Sequence, residues 1–293
     1  MDHRLFVPSP LRAPTGAAPL VVALHGCTQT ASDFAAGTRF DSVAERVGAY
    51  VLYPEQSTRA NMQRCWNWFL ERNQSRDGGE PAEIIALVDN IIARHPIDPQ
   101  RVFVAGLSAG GAMAAILAEQ APDRFAAVGI MAGVPLHASR DVAGAYAAMR
   151  GDIAPAAVKA LQRNSLPTRD FARLRVTAWT GTVDRTVAPA NAATVAHQFL
   201  SLLEIDPAAV TVEHSGDAEI TRWRDAGGQV RVEVWRVAQM GHAWSGGSFR
   251  GSHTHPKGPR ASDEMMAFFL NESSVAQVVA EPEKPHGPSN AYL

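Results

Sequence analysis

Cysteine is scarce in this chain, and the cysteines present lack the spacing of a metal or redox site. The sequence contains two of them, Cys27 and Cys65. A zinc ribbon or a thioredoxin-like site needs closely spaced pairs such as Cys-x-x-Cys, and no such pair occurs. The sequence leaves two interpretations open: a pair of buried free thiols, or a disulfide that stabilises the fold by about 3–4 kcal/mol on the chain-entropy model.

The chain also has no excess of basic charge and no long apolar segment. The net charge of -2 and the isoelectric point near 6.6 argue against an electrostatic nucleic-acid binder. The longest apolar stretch, Ala126 to Leu136, is too short to cross a bilayer. No signal peptide is visible at the start of the sequence, although a mature chain would look the same after its removal. We therefore expect no nucleic-acid partner and no membrane partner.

The sequence does contain the pattern of a large α/β fold. Of the 293 residues, 46% are hydrophobic and 19% charged, which is typical of a soluble chain with a sizeable core. Leu20 to Leu24 is continuously apolar, and such a run indicates a strand buried on both faces of a parallel sheet. Strands of this kind alternate with helices along the chain. This order predicts a three-layer α/β sandwich with a mostly parallel central sheet.

The predicted elements can be placed along the chain. Strands are expected over 20–24, 50–54, 101–105, 125–131, 175–179 and 230–237, with an edge ribbon over 210–213 and 220–223. Helices are expected over 40–47, 81–95, 112–119, 189–203 and 262–270. Residues 134–172 have no strand signal and are predicted to form a helical cap. Together these assignments predict one catalytic domain over 1–274 and a disordered, proline-rich tail over 275–293.

The segment Gly106-Leu107-Ser108-Ala109-Gly110 lies between a predicted strand and a predicted helix. A Gly-x-Ser-x-Gly sequence in that position is the setting of a nucleophile elbow, in which a tight turn exposes the serine at the sheet edge. The simpler alternative is an ordinary βα turn. Taken with the motifs below, we interpret Ser108 as a catalytic nucleophile.

A serine needs a base to remove its proton, and the base needs an acid to orient it. Asp184 and His242 each follow a predicted strand, as Ser108 does, and carboxyl ends of parallel strands meet at one sheet edge. The chain order Ser108, Asp184, His242 is that of α/β-hydrolases. The alternatives are an Asx turn at Asp184 and a plain loop histidine at His242. His253 and His255 share a loop, but their spacing makes a poor metal site, and we expect no metal and no cofactor.

Acyl transfer also needs donors for the oxyanion that develops on the carbonyl oxygen. The backbone N–H of Ala109, at the start of the helix, is one candidate. The segment His25-Gly26-Cys27 follows an early strand and is expected to supply the second donor through the Cys27 N–H, with His25 bracing the loop. The tryptophans Trp66, Trp68 and Trp244 are candidates for substrate contacts, against the alternative that they are packing aromatics.

Four ordered motifs resemble the poly(3-hydroxybutyrate) depolymerase family of esterases, which is related to feruloyl and acetylxylan esterases. The motifs are 24–30, 65–69, 106–113 and 241–247, and the resemblance runs from about residue 4 to 270. It implies a serine hydrolase with the triad Ser108, Asp184 and His242, oxyanion donors at Cys27 and Ala109, a Cys27–Cys65 bridge, and secretion. Members that act on solid polymer often carry linkers and binding modules absent here, which favours soluble oligomers or small esters.

The function expected from these features is hydrolysis of carboxylic esters through an acyl-enzyme. The substrate would be a poly- or oligo(3-hydroxybutyrate)-type or short-chain acyl ester. Alternatives are a feruloyl or acetylxylan esterase, or a hydrolase fold that only binds a ligand. We expect an extracellular or periplasmic location, with a cytoplasmic one still open, and the sequence does not indicate the oligomeric state.

Overall fold

The computed structural model describes residues 1–10, 16–153 and 170–272, in which strands and helices alternate. The strands are β1 (His3–Phe6), β2 (Ala18–Leu24), β3 (Tyr50–Pro54), β4 (Ile97–Leu107), β5 (Ala127–Met131), β6 (Arg175–Gly181), β7 (Val210–Ser215), β8 (Ala218–Arg224), β9 (Val230–Val237), β10 (Trp244–Ser245) and β11 (Thr254–His255). The helices are α1 (Ala31–Thr38), α2 (Phe40–Val47), α3 (Gly79–Arg94), α4 (Ala109–Gln120), α5 (Val142–Met149), α6 (Ala190–Leu202) and α7 (Ala261–Leu270), with a short 3₁₀ turn at Glu71–Asn73.

The main sheet has nine strands in the order β1-β3-β2-β4-β5-β6-β9-β8-β7. The six strands from β3 to β9 in this order pair in parallel, whereas β1, β8 and β7 pair antiparallel at the two sides. The predicted mostly parallel sheet and the edge ribbon are therefore confirmed. Since β3 and β4 lie on opposite sides of β2, the strand order reverses there, and α/β proteins bind ligands at such a point.

Alternate residues of each central strand pack into different cores. On β2, Leu20, Val22 and Leu24 belong to one hydrophobic cluster, whereas Val21 and Ala23 belong to another. The first cluster lies against α3, α4 and α6, and the second against α1, α2 and α7. Helices thus cover both faces of the sheet, which explains the continuous apolar runs of its strands. The predicted three-layer arrangement is confirmed.

Helix α1 and strand β9 differ from the sequence expectation. Helix α1 was not predicted, although Thr30 caps it by accepting a hydrogen bond from the Asp33 N–H at 3.1 Å. Strand β9 was expected to be half-exposed, but most of it is buried because Val232 and Val234 on one face and Trp235 on the other pack into the two hydrophobic clusters. Its charged side chains are bonded internally: Arg231 donates to the carbonyl of Leu174, and Glu233 accepts from the Trp235 indole at 2.8 Å.

The predicted cap over 134–172 is described only in part. Its central feature is α5, which Asp141 caps by accepting a hydrogen bond from the Gly144 N–H at 2.7 Å. Residues 154–169 of the cap and the tail predicted over 275–293 lie outside the described residues. The single catalytic domain over 1–274 remains a prediction.

Candidate active site

The Gly-x-Ser-x-Gly segment forms the sharp turn between β4 and α4. Ser108 has φ 58° and ψ −118°, a conformation that is costly for a residue with a side chain and that persists only where its surroundings hold it. Its N–H donates to the Met131 carbonyl at 2.8 Å. A Cβ at Gly106 would collide with the Gly110 carbonyl, and a Cβ at Gly110 would collide with the carbonyls of Leu24 and His25. Glycine is therefore required on both sides of the serine.

Asp184 and His242 meet at the carboxyl end of the sheet, after β6 and β9. The buried Asp184 accepts hydrogen bonds at Oδ1 from the N–H groups of Thr186 and Val187, at 2.8 and 2.9 Å. Its Oδ2 lies 2.8 Å from His242 Nδ1. Because a carboxylate accepts, Nδ1 carries the proton, and Nε2 of a neutral ring is left free as a base. The Asx turn and the orienting role thus use different oxygens of one carboxylate.

A single cavity of about 770 Å³ brings the sequence-predicted residues together. Ser108, His242, Cys27 and Ala109 all line it. Within the described ranges, no hydrogen bond joins the Ser108 hydroxyl to His242. Catalytic hydrogen bonds are often long in unliganded enzymes and tighten when substrate binds, so this separation is compatible with base catalysis.

The peptide that carries the Cys27 N–H is held by its carbonyl end. Gly26 O accepts from His25 Nδ1 at 2.7 Å and from the Gln29 N–H at 3.3 Å. In a trans peptide the N–H points opposite to the C=O, so the Cys27 N–H points away from His25 and Gln29. At the other side, Ala109 begins α4, where the first N–H groups have no partner within the helix. Both N–H groups are thus open to an acceptor in the cavity, and their role as oxyanion donors stays a prediction.

The Cys27–Cys65 disulfide expected from the family resemblance is confirmed, with a Cα–Cα distance of 4.2 Å. A second link runs beside it, from the Thr28 N–H to the Gln63 carbonyl at 2.6 Å. The loop after β2 and the loop after β3 are thus joined at the wall of the cavity. This joint fixes the segment that carries the Cys27 N–H.

A buried carboxyl group anchors the loop that carries Cys65 and Trp68. Glu80 accepts hydrogen bonds from the Gln56 side-chain amide at 2.7 Å and from the Asn67 N–H at 2.8 Å. Burial raises the pKa of Glu80 above its usual value, and the hydrogen bonds from Asn67 and Gln56 oppose that rise. The loop is therefore ordered by polar contacts that its irregular sequence did not reveal.

The three predicted tryptophans lie in different surroundings. Trp68, 7% exposed, lines the cavity. Trp66 is 0% exposed and donates from its indole to the His25 carbonyl at 3.0 Å. Trp244 is 1% exposed, donates to the Ser262 hydroxyl at 3.0 Å and packs against Phe34. This corrects the expectation for Trp66 and Trp244, which support the loops from the core rather than contact substrate.

Other lining residues were missed by the sequence analysis. The cap helix α5 contributes Val142, Ala145, Tyr146 and Met149, which form part of an apolar wall. Val142 and Tyr146 are 56% and 60% exposed, which is unusual for such side chains on a helix. Apolar residues on the solvent side of a predicted cap helix could have indicated this wall. In contrast, Asn61, Gln63 and His253 add polar groups to the lining without any sequence signal.

We expected no metal, no membrane partner and no cofactor from the sequence. Across 1–10, 16–153 and 170–272, no group of three or more histidine, cysteine or acidic side chains is arranged to hold a metal ion. In the same ranges, each helix is too short or too polar to pass through a bilayer. The expected lack of a cofactor remains a prediction.

Comparison with known proteins assigns the chain to a family. The family described as Esterase PHB depolymerase matches residues 3–220, which is most of the sequence. The chain belongs to this family. Within it, the elbow at Ser108 and the loop at Cys27 lie inside the matched range, whereas His242 lies beyond it.

Individual relatives agree with this membership. Poly(3-hydroxyalkanoate) depolymerase C of Paucimonas lemoignei is 37% identical over 227 residues, which cover 77% of this chain and 55% of that protein. Feruloyl esterase B of Neurospora crassa is 32% identical over 198 residues, covering 64% of this chain and 66% of that protein. The chain thus spans 55% and 66% of the length of these two curated relatives.

A solved structure shows the same fold. The acetyl xylan esterase from Aspergillus awamori superposes with a TM-score of 0.72 at 21% identity, covering 92% of this chain and 93% of that one. At this identity the likeness concerns the fold alone. The predicted α/β-hydrolase fold is confirmed.

Proposed function

We propose that the protein is a serine carboxylic ester hydrolase that works through an acyl-enzyme at Ser108. The observation that carries the proposal is the 2.8 Å hydrogen bond between His242 Nδ1 and Asp184 Oδ2 beside a serine on a strained elbow. Membership of an esterase family supports it. A fold that only binds a ligand would need neither the strained serine nor the oriented imidazole.

In the proposed reaction, His242 Nε2 takes the Ser108 proton as Oγ attacks the ester carbonyl carbon. The carbonyl oxygen becomes an oxyanion and accepts hydrogen bonds from the N–H groups of Cys27 and Ala109. Asp184 stabilises the imidazolium that forms. Collapse of the tetrahedral intermediate breaks the bond to the alcohol, which takes the proton from His242. Water then attacks the acyl-enzyme by the same steps and releases the acid.

The proposed substrate is a poly- or oligo(3-hydroxybutyrate)-type or short-chain acyl ester. The name of the Paucimonas lemoignei relative supports this class, as does the apolar wall formed by Trp68, Phe69 and α5. A feruloyl or acetylxylan-type esterase is the second candidate, and the Neurospora crassa relative favours it. Turnover of hydroxybutyrate oligomers, methyl ferulate and 4-nitrophenyl esters of graded length would separate the two.

Labelling by a fluorophosphonate probe tests the catalytic proposal. The wild-type protein should be labelled, the Ser108→Ala variant should not, and a Ser42→Ala variant should be labelled as the wild type is. Ser42 is a suitable control because it is exposed on α2, outside the residues that line the cavity. A folded wild-type protein that fails to label would overturn the proposed function.

We also propose that residues 1–274 form one catalytic domain with a cap over 134–172, and that the protein works outside the cytoplasm. The Cys27–Cys65 disulfide supports an extracellular or periplasmic location, since disulfides persist in oxidising compartments. Fractionation of the native host followed by detection of the protein tests this location.

A further inference from the structure

His253 lines the catalytic cavity in an unusual backbone conformation. Its φ of 51° places it in the left-handed region, which is uncommon for a residue other than glycine. Its carbonyl accepts from the Trp244 N–H at 2.7 Å, and its exposed side chain belongs to a cavity that Thr28 and His242 also line. Strain of this kind collects at functional sites and persists only where neighbouring residues hold the backbone.

The residue before His253 is fixed to α1 and to the loop over 25–30, which carries the Cys27 N–H and is called the oxyanion loop below. The N–H and hydroxyl of Ser252 donate to the Asp33 carboxylate at 3.0 and 2.6 Å. Gln29 donates from Nε2 to the Ser252 carbonyl at 3.2 Å and accepts from the Gly26 N–H at 2.9 Å. The hydrogen bonds from Ser252 lower the pKa of Asp33 against the opposing effect of burial. A charged Asp33 is the better acceptor, so this anchor is strong.

The residue after His253 is fixed to the loop of the proposed base. Thr254 on β11 pairs with Trp244 on β10, and Trp244 lies two residues beyond His242. His253 is therefore held between the oxyanion loop and the base loop. Its backbone therefore has a set position relative to both loops, although it belongs to neither.

Two other polar side chains of the lining, those of Thr28 and Asn61, are already bonded within the protein. Thr28 donates its hydroxyl to the Cys27 carbonyl at 2.6 Å. Asn61 donates from Nδ2 to Asn67 at 2.9 Å and accepts at Oδ1 from the Gln63 N–H at 2.9 Å. In the described part of the chain, the His253 ring makes no hydrogen bond to another residue. The imidazole is thus free to bond to a molecule in the cavity.

We propose that His253 is a specificity-determining residue that hydrogen-bonds to a second oxygen function of the substrate, outside the scissile ester. This inference rests on the proposed function and narrows its substrate class to esters of hydroxyacids, whose chains carry such an oxygen. The apolar part of the lining, including Trp68 and Tyr146, would hold the hydrocarbon part of the same chain. Plain alkyl esters offer the imidazole no partner.

Two matched substrate pairs test this. On the acyl side, 4-nitrophenyl 3-acetoxybutyrate is compared with 4-nitrophenyl butyrate. On the alcohol side, methyl 3-(butanoyloxy)butyrate is compared with butyl butyrate. The readout is the ratio of kcat/KM within each pair, because a general defect of the site lowers both members and leaves the ratio unchanged.

In His253→Phe, which keeps a ring without hydrogen-bonding nitrogens, the ratio should fall about 5- to 10-fold in at least one pair, as expected for one lost hydrogen bond. His253→Asn should restore part of it, since asparagine tolerates the left-handed region and offers an N–H. His214→Phe, on the exposed strand β7, should change neither ratio.

Two results would count against the proposal, and they are distinguishable. If His253→Phe hydrolyses these esters with both ratios unchanged, the proposal for His253 is overturned and the esterase function stands. If the folded wild-type protein hydrolyses none of the four esters and escapes the fluorophosphonate probe, the proposed function falls and the specificity inference falls with it.

Discussion

The His25 ring accepts a hydrogen bond at Nε2 from the Gln56 backbone N–H, at 3.0 Å. A backbone N–H can only donate, so Nε2 carries no proton. On the other side, Nδ1 lies 2.7 Å from Gly26 O, which can only accept, so Nδ1 carries the proton. His25 is therefore neutral in the folded protein, and in this form it orients the peptide of the Cys27 N–H.

This neutral state predicts acid sensitivity of the fold. Burial lowers the pKa of His25, partly offset by its hydrogen bond to Gly26. Below about pH 6.5, the ordinary histidine pKa, the unfolded chain binds a proton that folded His25 resists, so the free energy of unfolding falls as pH falls. In His25→Asn it should fall less between pH 7 and 5 than in the wild type. Urea titrations at several pH values measure this.

The exposed His214 provides the control for that measurement. His214→Asn replaces a histidine outside the site and should keep the wild-type pH dependence. If the free energy of unfolding changes equally with pH in the wild type and in His25→Asn, the folded protein protonates His25 without a cost in stability. The tautomer assigned above would then be wrong.

Asp184→Asn should disable the base while leaving the fold intact. The asparagine amide can present its N–H to His242 and so favour the wrong tautomer, an effect on the order of 10⁴-fold in kcat in a Ser-His-Asp enzyme. Ester turnover and circular dichroism on the same sample measure activity and folding. Asp206→Asn, on an exposed residue, is the matched control. If kcat of the folded Asp184→Asn variant falls by less than about 10-fold, Asp184 does not orient the base.

The disulfide should contribute a large share of the stability. The bridged residues are 38 apart in sequence, so the bond removes about 3–4 kcal/mol of chain entropy from the unfolded state. The double variant Cys27→Ser, Cys65→Ser should lose about that much in urea unfolding, and the wild type should lose the same with reductant. Denatured, unreduced wild type should show no titratable thiols, and finding two would contradict the bond.

The sequence sufficed for the parts of the site that depend on backbone topology. Ser108, Asp184 and His242 each follow a parallel strand, and the sheet brings such positions to one edge whatever the loops do. It did not suffice for the direction of loop side chains. Trp66 and Trp68 are separated by one residue, yet one indole points into the core and the other toward the cavity. Long-range contacts decide this, such as the bond from Trp66 to His25.

The burial of charged side chains was a second feature that the sequence pattern did not predict. Alternating charged residues made β9 resemble a half-exposed strand, but Arg231 and Glu233 are buried. Arg231 donates to the Leu174 carbonyl, and Glu233 accepts from Arg222 on β8. Leu174 and Arg222 lie on segments whose approach to β9 depends on the completed sheet. Local periodicity carries no information about such pairing.

The close contact of α4 with the end of β2 gives the last prediction. A Cβ on Gly110 would collide with the carbonyls of Leu24 and His25, so Gly110→Ala should push α4 away from the oxyanion loop. The N–H groups of Ala109 and Cys27 would then no longer converge on one oxygen. A displacement of about 1 Å can cost on the order of 10²-fold in rate, and kcat/KM should fall by about that factor.

Gly16→Ala is the matched control, since an added Cβ there meets no heavy atom within 4 Å. It should leave kcat/KM unchanged. Fluorophosphonate labelling of the Gly110→Ala variant adds a second readout, because a displaced oxyanion site should slow labelling as well as turnover. A folded Gly110→Ala variant with wild-type rates in both assays would show that α4 and the loop after β2 need not approach this closely for catalysis.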